Sequence, residues 1–338
     1  GAFLPLERRE TRAVFAVFGK LGWFFRLEWK RYAIAIPLLI IVGFIEIIPP
    51  KLMGNAIDLI QQGRLTQAGL NETVIWIAVL TLLIYIITYV WNYQLFGGSF
   101  LVERMMRSKL MRHFLRMSPA FYEKYRTGDL MARATNDLKD ISITAGYGIM
   151  TLIDSTTWTL TLIVVMGALI SWKLTFAALL PLPLLAFCIQ LYGKLLHTRF
   201  KAAQDAFGEM NNGVLETVSG VRVNRAFVQE RASERRFAEV TGDVLEKNIA
   251  VARIDALFEP TVKICVGLSY LIGLGYGVFL VFHHELTVGD LVAFNVYLGM
   301  LIWPMFALGE LINIMQRGSA SLDRVNETLS HPPDVQAA

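Results

Sequence analysis

Four acidic residues lie within or at the edge of long apolar stretches of the chain: Glu46, Asp154, Glu259 and Glu310. A carboxylate in such surroundings is costly unless it faces a cavity or a polar partner. It can bind a cation, relay a proton or accept a hydrogen bond from a neighbouring helix. Glu46 and Glu310 are the stronger candidates, because Asp154 and Glu259 are expected nearer the edges of their stretches.

We expect Glu46 and Glu310 to face a central cavity that admits cationic amphiphilic compounds. Residues of the last apolar stretch would form its adaptable walls. With Asn295, the cavity candidates there are Met300, Trp303, Met305 and Phe306. The alternative stays open that the two acids accept hydrogen bonds from Asn295, Ser269 or a backbone group of another helix.

Other chemistry finds little support in the residues. No H-E-x-x-H pattern is present, and His283-His284 lacks acidic partners at that spacing. An intramembrane enzyme that uses Glu46 and Asp154 is therefore disfavoured. The two cysteines, Cys188 and Cys265, lie inside apolar stretches and read as packing residues. The net charge of +4 is too small to suggest a nucleic-acid partner.

Six apolar stretches must position these residues. Most are about 20 residues long, enough to cross a bilayer core as a helix. They cover residues 32–48, 74–98, 148–170, 174–196, 262–282 and 291–314. A soluble all-α protein with 54% hydrophobic residues is the disfavoured alternative. The expected fold is an all-α membrane protein with six transmembrane helices.

Short and long gaps alternate between the stretches, and their charges differ. The short gaps are 61–73, 171–173 and 283–290, and their only Lys or Arg residues are Arg64 and Lys173. The gaps 99–147 and 197–261 hold nine Lys or Arg residues each. Because Lys and Arg mark the cytoplasmic side, both long gaps and both termini are expected in the cytoplasm. We therefore predict a multi-pass protein of the cell membrane.

The long gaps have helical rather than loop-like patterns. Apolar residues recur at helical spacing through 99–119, 198–218 and 231–254. Each long gap is therefore predicted to be a helical hairpin that extends the membrane helices by roughly 30 Å. The patterns break at short polar turns, 125–129 and 218–222, and each turn is followed by a short segment that could be a transverse helix.

Prolines and aromatic residues add local detail. Pro49-Pro50 should bend the first membrane helix, since the apolar pattern continues to Ile60. Residues 21–32 mix aromatic and basic side chains, which predicts an amphipathic helix in the cytoplasmic interface, although they could also simply begin the first span. Further bends are expected at Pro181, Pro183 and Pro304.

At the two hairpin tips the sequence resembles the transmembrane domain of ABC exporters. The first tip carries Phe121-Tyr122-Glu123-Lys124, then Thr127-Gly128-Asp129-Leu130, then Arg133, Thr135, Asn136 and Asp137. The second carries ETVSGVRVNRAFVQE at 216–230. The resemblance covers about 21–329 and extends to one subunit of the bacterial heterodimeric multidrug exporters.

The resemblance implies that both tips dock on nucleotide-binding domains. The residues that it assigns to this coupling are Thr127, Gly128, Asp129, Leu130, Arg133, Asp137, Ser219, Gly220, Arg222 and Arg225. A solvated charged face or local helix caps are the alternative for these positions. The resemblance also implies a second transmembrane subunit, identical or different, with each subunit lending a span pair to the other.

No G-x-x-x-x-G-K-[ST] phosphate loop occurs in the chain. We therefore expect ATP and Mg²⁺ to be bound by nucleotide-binding domains, either on a separate polypeptide or in a truncated continuation. The expected division is a cytoplasmic segment and interfacial helix (1–31), a transmembrane domain (32–314) with cytoplasmic hairpins (99–147 and 197–261), and the start of a linker (315–338).

The resemblance implies the transmembrane half of an ATP-driven exporter of amphiphilic compounds or drugs, in contact with membrane lipid and without an ATPase site of its own. A lipid or peptide exporter is the nearest alternative. A channel or a non-transporting scaffold is the alternative of another class, and it lacks the charge rings that would support a channel.

Overall fold

Long helices make up the part of the chain that the computed structural model describes, which is residues 17–332 without the side chains of Met305, Phe306 and Leu308. In chain order they are α1 (Gly22–Leu27), α2 (Trp29–Glu46), α3 (Ile48–Gln61), α4 (Gln67–Phe114), α5 (Pro119–Lys124), α6 (Thr127–Ala132), α7 (Leu138–Ile143), α8 (Ile149–Ile153), α9 (Thr159–Val165), α10 (Trp172–Leu179), α11 (Pro181–Ser219), α12 (Val221–Ala226), α13 (Glu230–Phe282) and α14 (Val288–Ser330). Helical π segments join α6 to α10: Arg133–Asp137, Thr144–Gly148, Asp154–Trp158 and Met166–Ser171. The all-α membrane fold expected from the sequence is confirmed.

Five helical runs among the described residues are long and apolar enough to cross a membrane: Trp29–Gln61, Gln67–Phe114, Thr127–Ser219, Glu230–Phe282 and Val288–Ser330. The run Thr127–Ser219 contains two of the six apolar stretches, 148–170 and 174–196. The number of six crossings therefore stays a prediction. The 48 residues of α4 contain no proline, and its length is about 72 Å at 1.5 Å per residue.

The turn predicted at residues 171–173 is wrong. Ser171 ends a π segment and Trp172 begins α10, so the backbone stays helical through these positions. None of the three residues breaks a helix, whereas Pro181 removes a backbone donor and restricts the residue before it. The first non-helical residue is accordingly Leu180.

The helix is interrupted at Ile47, two residues before the bend predicted at Pro49-Pro50. Helix α2 ends at Glu46, Ile47 keeps helical dihedral angles (φ −73°, ψ −27°), and α3 resumes with both prolines in its first turn. There a missing backbone donor costs least, because the first turn has unpaired N–H groups in any case.

The chain ends differ in part from the expected division. Helix α1 has only six residues, and α2 begins at Trp29 rather than at residue 32. Helix α14 continues to Ser330, so the predicted start of the linker is helical up to that residue. Residues 1–16 of the predicted N-terminal segment and residues 333–338 of the predicted linker lie outside the described residues.

Contacts divide the described chain into two compact units. Unit 1 comprises the described residues within Gly1–Trp172 and Leu280–Ala338, and unit 2 is Lys173–Phe279. Within unit 2, the Tyr192 hydroxyl of α11 lies 3.1 Å from the Thr261 hydroxyl of α13, and its ring packs edge-on against Phe258. Unit 2 therefore has its own helix-to-helix contacts.

Small residues let the helices of unit 1 approach closely. A Cβ added to Gly54 of α3 would lie 2.5 Å from the carbonyl oxygen of Gly289 in α14. The Asp58 carboxylate accepts the backbone N–H of Gly289 at 2.7 Å beside this crossing. A second close contact joins α4 to α7. The Ser99 hydroxyl of α4 donates to the Ser142 carbonyl of α7 at 2.7 Å, and the Ser142 hydroxyl donates to the Ser99 carbonyl at 2.9 Å. These contacts join α3 to α14 and α4 to α7.

Short helices occupy both hairpin tips. Helix α11 ends at Ser219, and the expected short helix α12 (Val221–Ala226) begins inside the predicted turn 218–222. At the first tip the separate short helix is α5 (Pro119–Lys124), which precedes Thr127. The residues from Thr127 to Asp137 instead begin the long helical run. Pro119 explains the difference, since proline favours the first turn of a helix.

Candidate functional site

Two polar sites stand out in unit 1. The first is a cavity of about 240 Å³ that both Glu46 and Asp154 line. Three indole rings share its wall, those of Trp91, Trp158 and Trp303. A carboxylate pair among aromatic rings suits a ligand with a positive charge and an apolar body.

Local backbone features place the two acids. Glu46 is the last residue of α2, just before the interruption at Ile47. Asp154 begins a π segment, and the Thr159 hydroxyl donates to its carbonyl at 3.2 Å, five residues along. Gly43 makes room for the ring of Trp158, since a Cβ there would lie 2.9 Å from that ring. Wider π turns often mark functional positions within helices.

The two cavity acids lack a cationic partner among the described residues. Within residues 17–332, neither Glu46 nor Asp154 makes a side-chain hydrogen bond or an ion pair with another residue. Trp91 is 7% exposed, and its Nε1 has no hydrogen-bond partner in the described part of the chain. By contrast, Glu259 is exposed and pairs with Lys263 at 2.7 Å. Of these three acids, the two without a partner are therefore the two that line the cavity.

The structure places the other cavity candidates unevenly. Met300 and Trp303 line the cavity with Glu46. Glu310 is exposed and does not line it; it lies seven residues beyond Trp303 on α14, about 10 Å along the helix. Asn295 donates to the Leu291 carbonyl of its own helix at 2.8 Å, and its Oδ1 is buried without a partner among the described residues. The side chain of Phe306 lies outside the described part of the structure.

The second site joins the start of the long helical run to the end of α14. Arg133 is buried, and its Nη1 donates to the Thr328 hydroxyl at 2.7 Å and to the Arg324 carbonyl at 3.2 Å. Asp137 is also buried and accepts two hydrogen bonds from the Arg324 guanidinium, at 2.9 and 2.5 Å. The Ser321 hydroxyl donates to Asp137 and Asp140 at 3.2 Å each. We call these residues the tip-to-α14 cluster.

Aromatic residues close the outer side of this cluster. The Tyr125 hydroxyl lies 3.0 Å from Nε2 of His331, and Arg133 lies over the Tyr125 ring at 5.5 Å. Phe121 of α5 packs against the rings of both Tyr125 and His331. The end of α14 is thus fixed to the first tip by stacking as well as by charge.

The coupling candidates of the first tip fall into two groups. Thr127, Gly128 and Asp129 are exposed, and Asp129 pairs with Arg133 at 3.0 Å. Leu130 is buried in the protein, as are Arg133 and Asp137. The sequence reasoning missed their partners on α14. The signal was a polar face of Ser321, Arg324 and Thr328 at helical spacing.

The second tip is open to its surroundings. Ser219, Arg222 and Arg225 are exposed, and Gly220 is half-buried. Neither arginine has an ion-pair partner among residues 17–332. Phe227 and Val228 are 72% and 80% exposed beside them. Val228 has a φ of 54°, which is unusual for a β-branched residue and turns the chain sharply towards α13.

No set of three or more His, Cys, Asp or Glu residues suited to a metal ion occurs within the described residues. The long apolar helices define a multi-pass α-helical membrane domain. Residues 32–305 match the family model of the ABC transporter transmembrane region, and the chain belongs to this family.

Relatives agree with this membership. The chain is 62% identical over 322 residues to the probable multidrug resistance ABC transporter ATP-binding/permease protein YheI of Bacillus subtilis, covering 95% of the chain and 55% of that protein. It is 40% identical to the multidrug resistance-like ATP-binding protein MdlA of Escherichia coli, over 94% of the chain and 54% of that protein. It is 27% identical to an ATP-dependent lipid A-core flippase of Syntrophus aciditrophicus, over 94% of the chain and 53% of that protein. The chain thus spans about half the length of these relatives.

Proposed function

We propose that this chain is the transmembrane half of an ATP-driven exporter that moves amphiphilic compounds out of the cell by alternating access. The observation that carries the proposal is the family match over residues 32–305, together with relatives named as multidrug transporters. ATP and Mg²⁺ are assigned to nucleotide-binding domains, which supply the energy.

The substrate class follows from the first site. Two carboxylates without a cationic partner favour a positively charged ligand, and the indole rings favour an apolar or aromatic body. Glu46, Asp154, Met300 and Trp303 therefore form the proposed binding wall. Glu310 is exposed on α14, seven residues beyond Trp303, and is proposed to extend this wall towards the cytoplasm.

The second site supports a route from the tips to the cavity. Asp137 and Asp154 lie on one helical run, 17 residues or about 25 Å apart. Trp303 and Arg324 lie on α14, 21 residues or roughly 32 Å apart. Two helices thus connect the tip-to-α14 cluster with the cavity, so that a displacement of the first tip would reach the binding wall along both.

Docking of the nucleotide-binding domains is proposed for the exposed residues of both tips. In the first tip these are Thr127, Gly128 and Asp129, held in place by Leu130, Arg133 and Asp137. In the second they are Ser219, Gly220, Arg222 and Arg225, next to the exposed Phe227 and Val228. Exposed apolar side chains flanked by unpaired arginines are typical of a protein interface.

A second transmembrane subunit completes the proposal. The exporter resemblance implies that a span pair is lent to the other subunit. Unit 2, Lys173–Phe279, contains the fourth apolar stretch and nearly all of the fifth, and it forms a compact unit of its own. Large side chains of this unit, such as Phe187 and Leu271, are more than 60% exposed. Lipid and the partner subunit are proposed to cover them, with both termini of the chain in the cytoplasm.

Transport in proteoliposomes tests the function. The chain is assembled with its nucleotide-binding domains and reconstituted, and uptake of a cationic fluorescent dye is followed with ATP and with a non-hydrolysable analogue. We expect accumulation that requires ATP hydrolysis. Deletion of Thr127–Asp129 at the exposed start of α6 should keep ATP hydrolysis and remove transport. Dye flux without ATP would instead indicate a channel.

Lipid export is the second candidate, because lipid A-core flippases are among the relatives. A fluorescent phospholipid in the same vesicles distinguishes the two substrate classes. Faster ATP-dependent movement of the lipid than of the dye would favour the flippase.

A further inference from the structure

A groove between α1 and α4 has the opposite charge to the cavity. It has a volume of about 490 Å³ and is lined by Trp23, Leu101, Arg104, Met105, Ser108, Lys109 and Arg112. Six of these residues recur every three or four positions along α4, so they share one face of that helix. We call this feature the basic groove.

Packing of the N-terminal helix creates the groove. Leu21 and Phe24 are buried against the α4 face that carries Val102, Met106 and Leu110. The neighbouring face of α4 is left open, with Trp23 as one wall. Trp23 is 42% exposed, and the Lys109 ammonium lies 5.7 Å from its ring centroid. The indole thereby fixes the position of one cation.

The groove concentrates positive charge without local compensation. Arg104, Lys109 and Arg112 are exposed, and none forms an ion pair with a carboxylate of the described residues. The nearest acidic residue along the helix, Glu103, is bound to Arg107. Lys20 of the N-terminal region is also neutralised, since it pairs with Asp323. Three neighbouring cations in one groove repel each other unless an anion joins them.

The position along α4 indicates which anion. The groove begins three residues beyond the predicted span 74–98 and ends fourteen residues beyond it, roughly 5 to 20 Å farther along the helix. Basic residues next to a membrane span meet the anionic headgroups of the adjacent leaflet. Leu27 and Trp29, 60% and 58% exposed on the neighbouring chain segment, add an apolar surface suited to acyl chains.

We propose that the basic groove binds the phosphate headgroup of an anionic phospholipid from the cytoplasmic leaflet. Arg104, Lys109 and Arg112 contact the phosphate, and the Ser108 hydroxyl donates to one of its oxygens. Trp23, Leu101 and Met105 contact the glycerol and the upper acyl chain. A zwitterionic lipid binds less well, because its own ammonium group meets the same three cations.

Native mass spectrometry of the purified chain in detergent tests this site. Phosphatidylglycerol and phosphatidylcholine are added in equal amounts, and the retained lipid is counted. We expect a preference for phosphatidylglycerol that falls about fivefold for each basic residue removed. The triple variant Arg104→Gln/Lys109→Gln/Arg112→Gln should therefore show almost no preference.

A matched variant removes the same charge elsewhere. Arg231→Gln/Arg235→Gln/Arg236→Gln changes three exposed arginines of α13 that precede the predicted span 262–282 by at least 26 residues. This control should keep the preference, as should the charge-conserving Arg104→Lys/Lys109→Arg/Arg112→Lys. If the triple glutamine variant does not fold, Lys109→Gln alone should still lose about fivefold.

Three results would overturn the proposal. One is an unchanged preference in the triple glutamine variant, and another is an equal loss in the α13 control. The third is displacement of phosphatidylglycerol by inorganic phosphate at millimolar concentration, which would assign the groove to a free anion rather than to a lipid.

Discussion

The guanidinium of Arg324 binds both carboxylate oxygens of Asp137, although the two residues are 187 positions apart. The Nε–Oδ2 distance is 2.9 Å and the Nη2–Oδ1 distance is 2.5 Å. Bidentate pairs of this kind fix orientation as well as distance. The first hairpin tip and α14 are therefore joined with a defined angle.

The two halves of this pair should respond differently to truncation. The Asp137 side chain is 8% exposed and the Arg324 side chain 47% exposed. Arg324→Ala leaves a buried carboxylate without its main donor and should lower the free energy of unfolding by about 1–3 kcal/mol. Asp137→Ala leaves an arginine that water can solvate, so it should cost less. Thermal unfolding in detergent measures both, and the double variant should cost less than the sum. Equal single effects that simply add would contradict the asymmetry.

Neutralising either cavity acid should weaken export of cations. Glu46→Gln or Asp154→Asn removes one of the two carboxyl groups that line the same cavity. We expect each single variant to lower dye transport several-fold. The double variant should lower it little further, because both residues act on one ligand. Transport of an uncharged substrate should change little. Glu259→Gln is the control, since Glu259 is exposed and pairs with Lys263. Full cation transport by the double variant would exclude this cavity as the binding wall.

Changing the second tip should separate ATP hydrolysis from transport. Arg222, Arg225 and Phe227 are exposed, so Arg222→Ala/Arg225→Ala/Phe227→Ser should shift the free energy of unfolding by no more than about 0.5 kcal/mol per site. Dye transport should nevertheless fall while ATP hydrolysis persists. Arg231→Ala, also exposed and a few residues away on α13, serves as the control. A variant that transports normally would show that this tip is not a docking surface.

Acid should destabilise the chain through His113. This residue lies fifteen positions beyond the predicted span 74–98, and burial lowers its pKa below the ordinary value of about 6.5. Its folded form therefore prefers the neutral ring, and the unfolded chain binds the proton first. The contribution to stability is complete above pH 6.5 and is lost as the pH falls towards the lower folded pKa. In the His113→Gln variant, the midpoint of thermal unfolding should therefore change less between pH 7 and pH 5 than it does in the unmodified chain. An equal pH dependence in the variant would assign the effect to other groups.

Sequence patterns predicted the helices, and their interruption near Pro49-Pro50, better than the contacts between helices. The interruption before Pro49-Pro50 depends on local backbone chemistry, so its place was predictable. The turn at 171–173 was inferred from a gap in hydrophobicity alone, and Ser171-Trp172-Lys173 can remain helical. Composition indicates where apolar stretches end, but only backbone chemistry decides where a helix ends.

In both sites, the sequence indicated which residues were polar but not which of them would meet. Met300 and Trp303 were predictable because they share one helix face, but the partnership of Glu46 with Asp154 depends on how two distant segments cross. The Arg324–Asp137 pair likewise joins residues in the two separate chain segments of unit 1. The polar residues on both sides were visible in the sequence, whereas their pairing was not.

Proline is absent from α4, whereas α2, α13 and α14 each carry one in their interiors. Prolines are where long helices kink, so bending during any rearrangement should concentrate in those three. A straight helix of about 72 Å converts a tilt of about 10° at one end into a shift of roughly 12 Å at the other. The angular tolerance at the Phe114 end of α4 thus sets how widely its Gln67 end can swing.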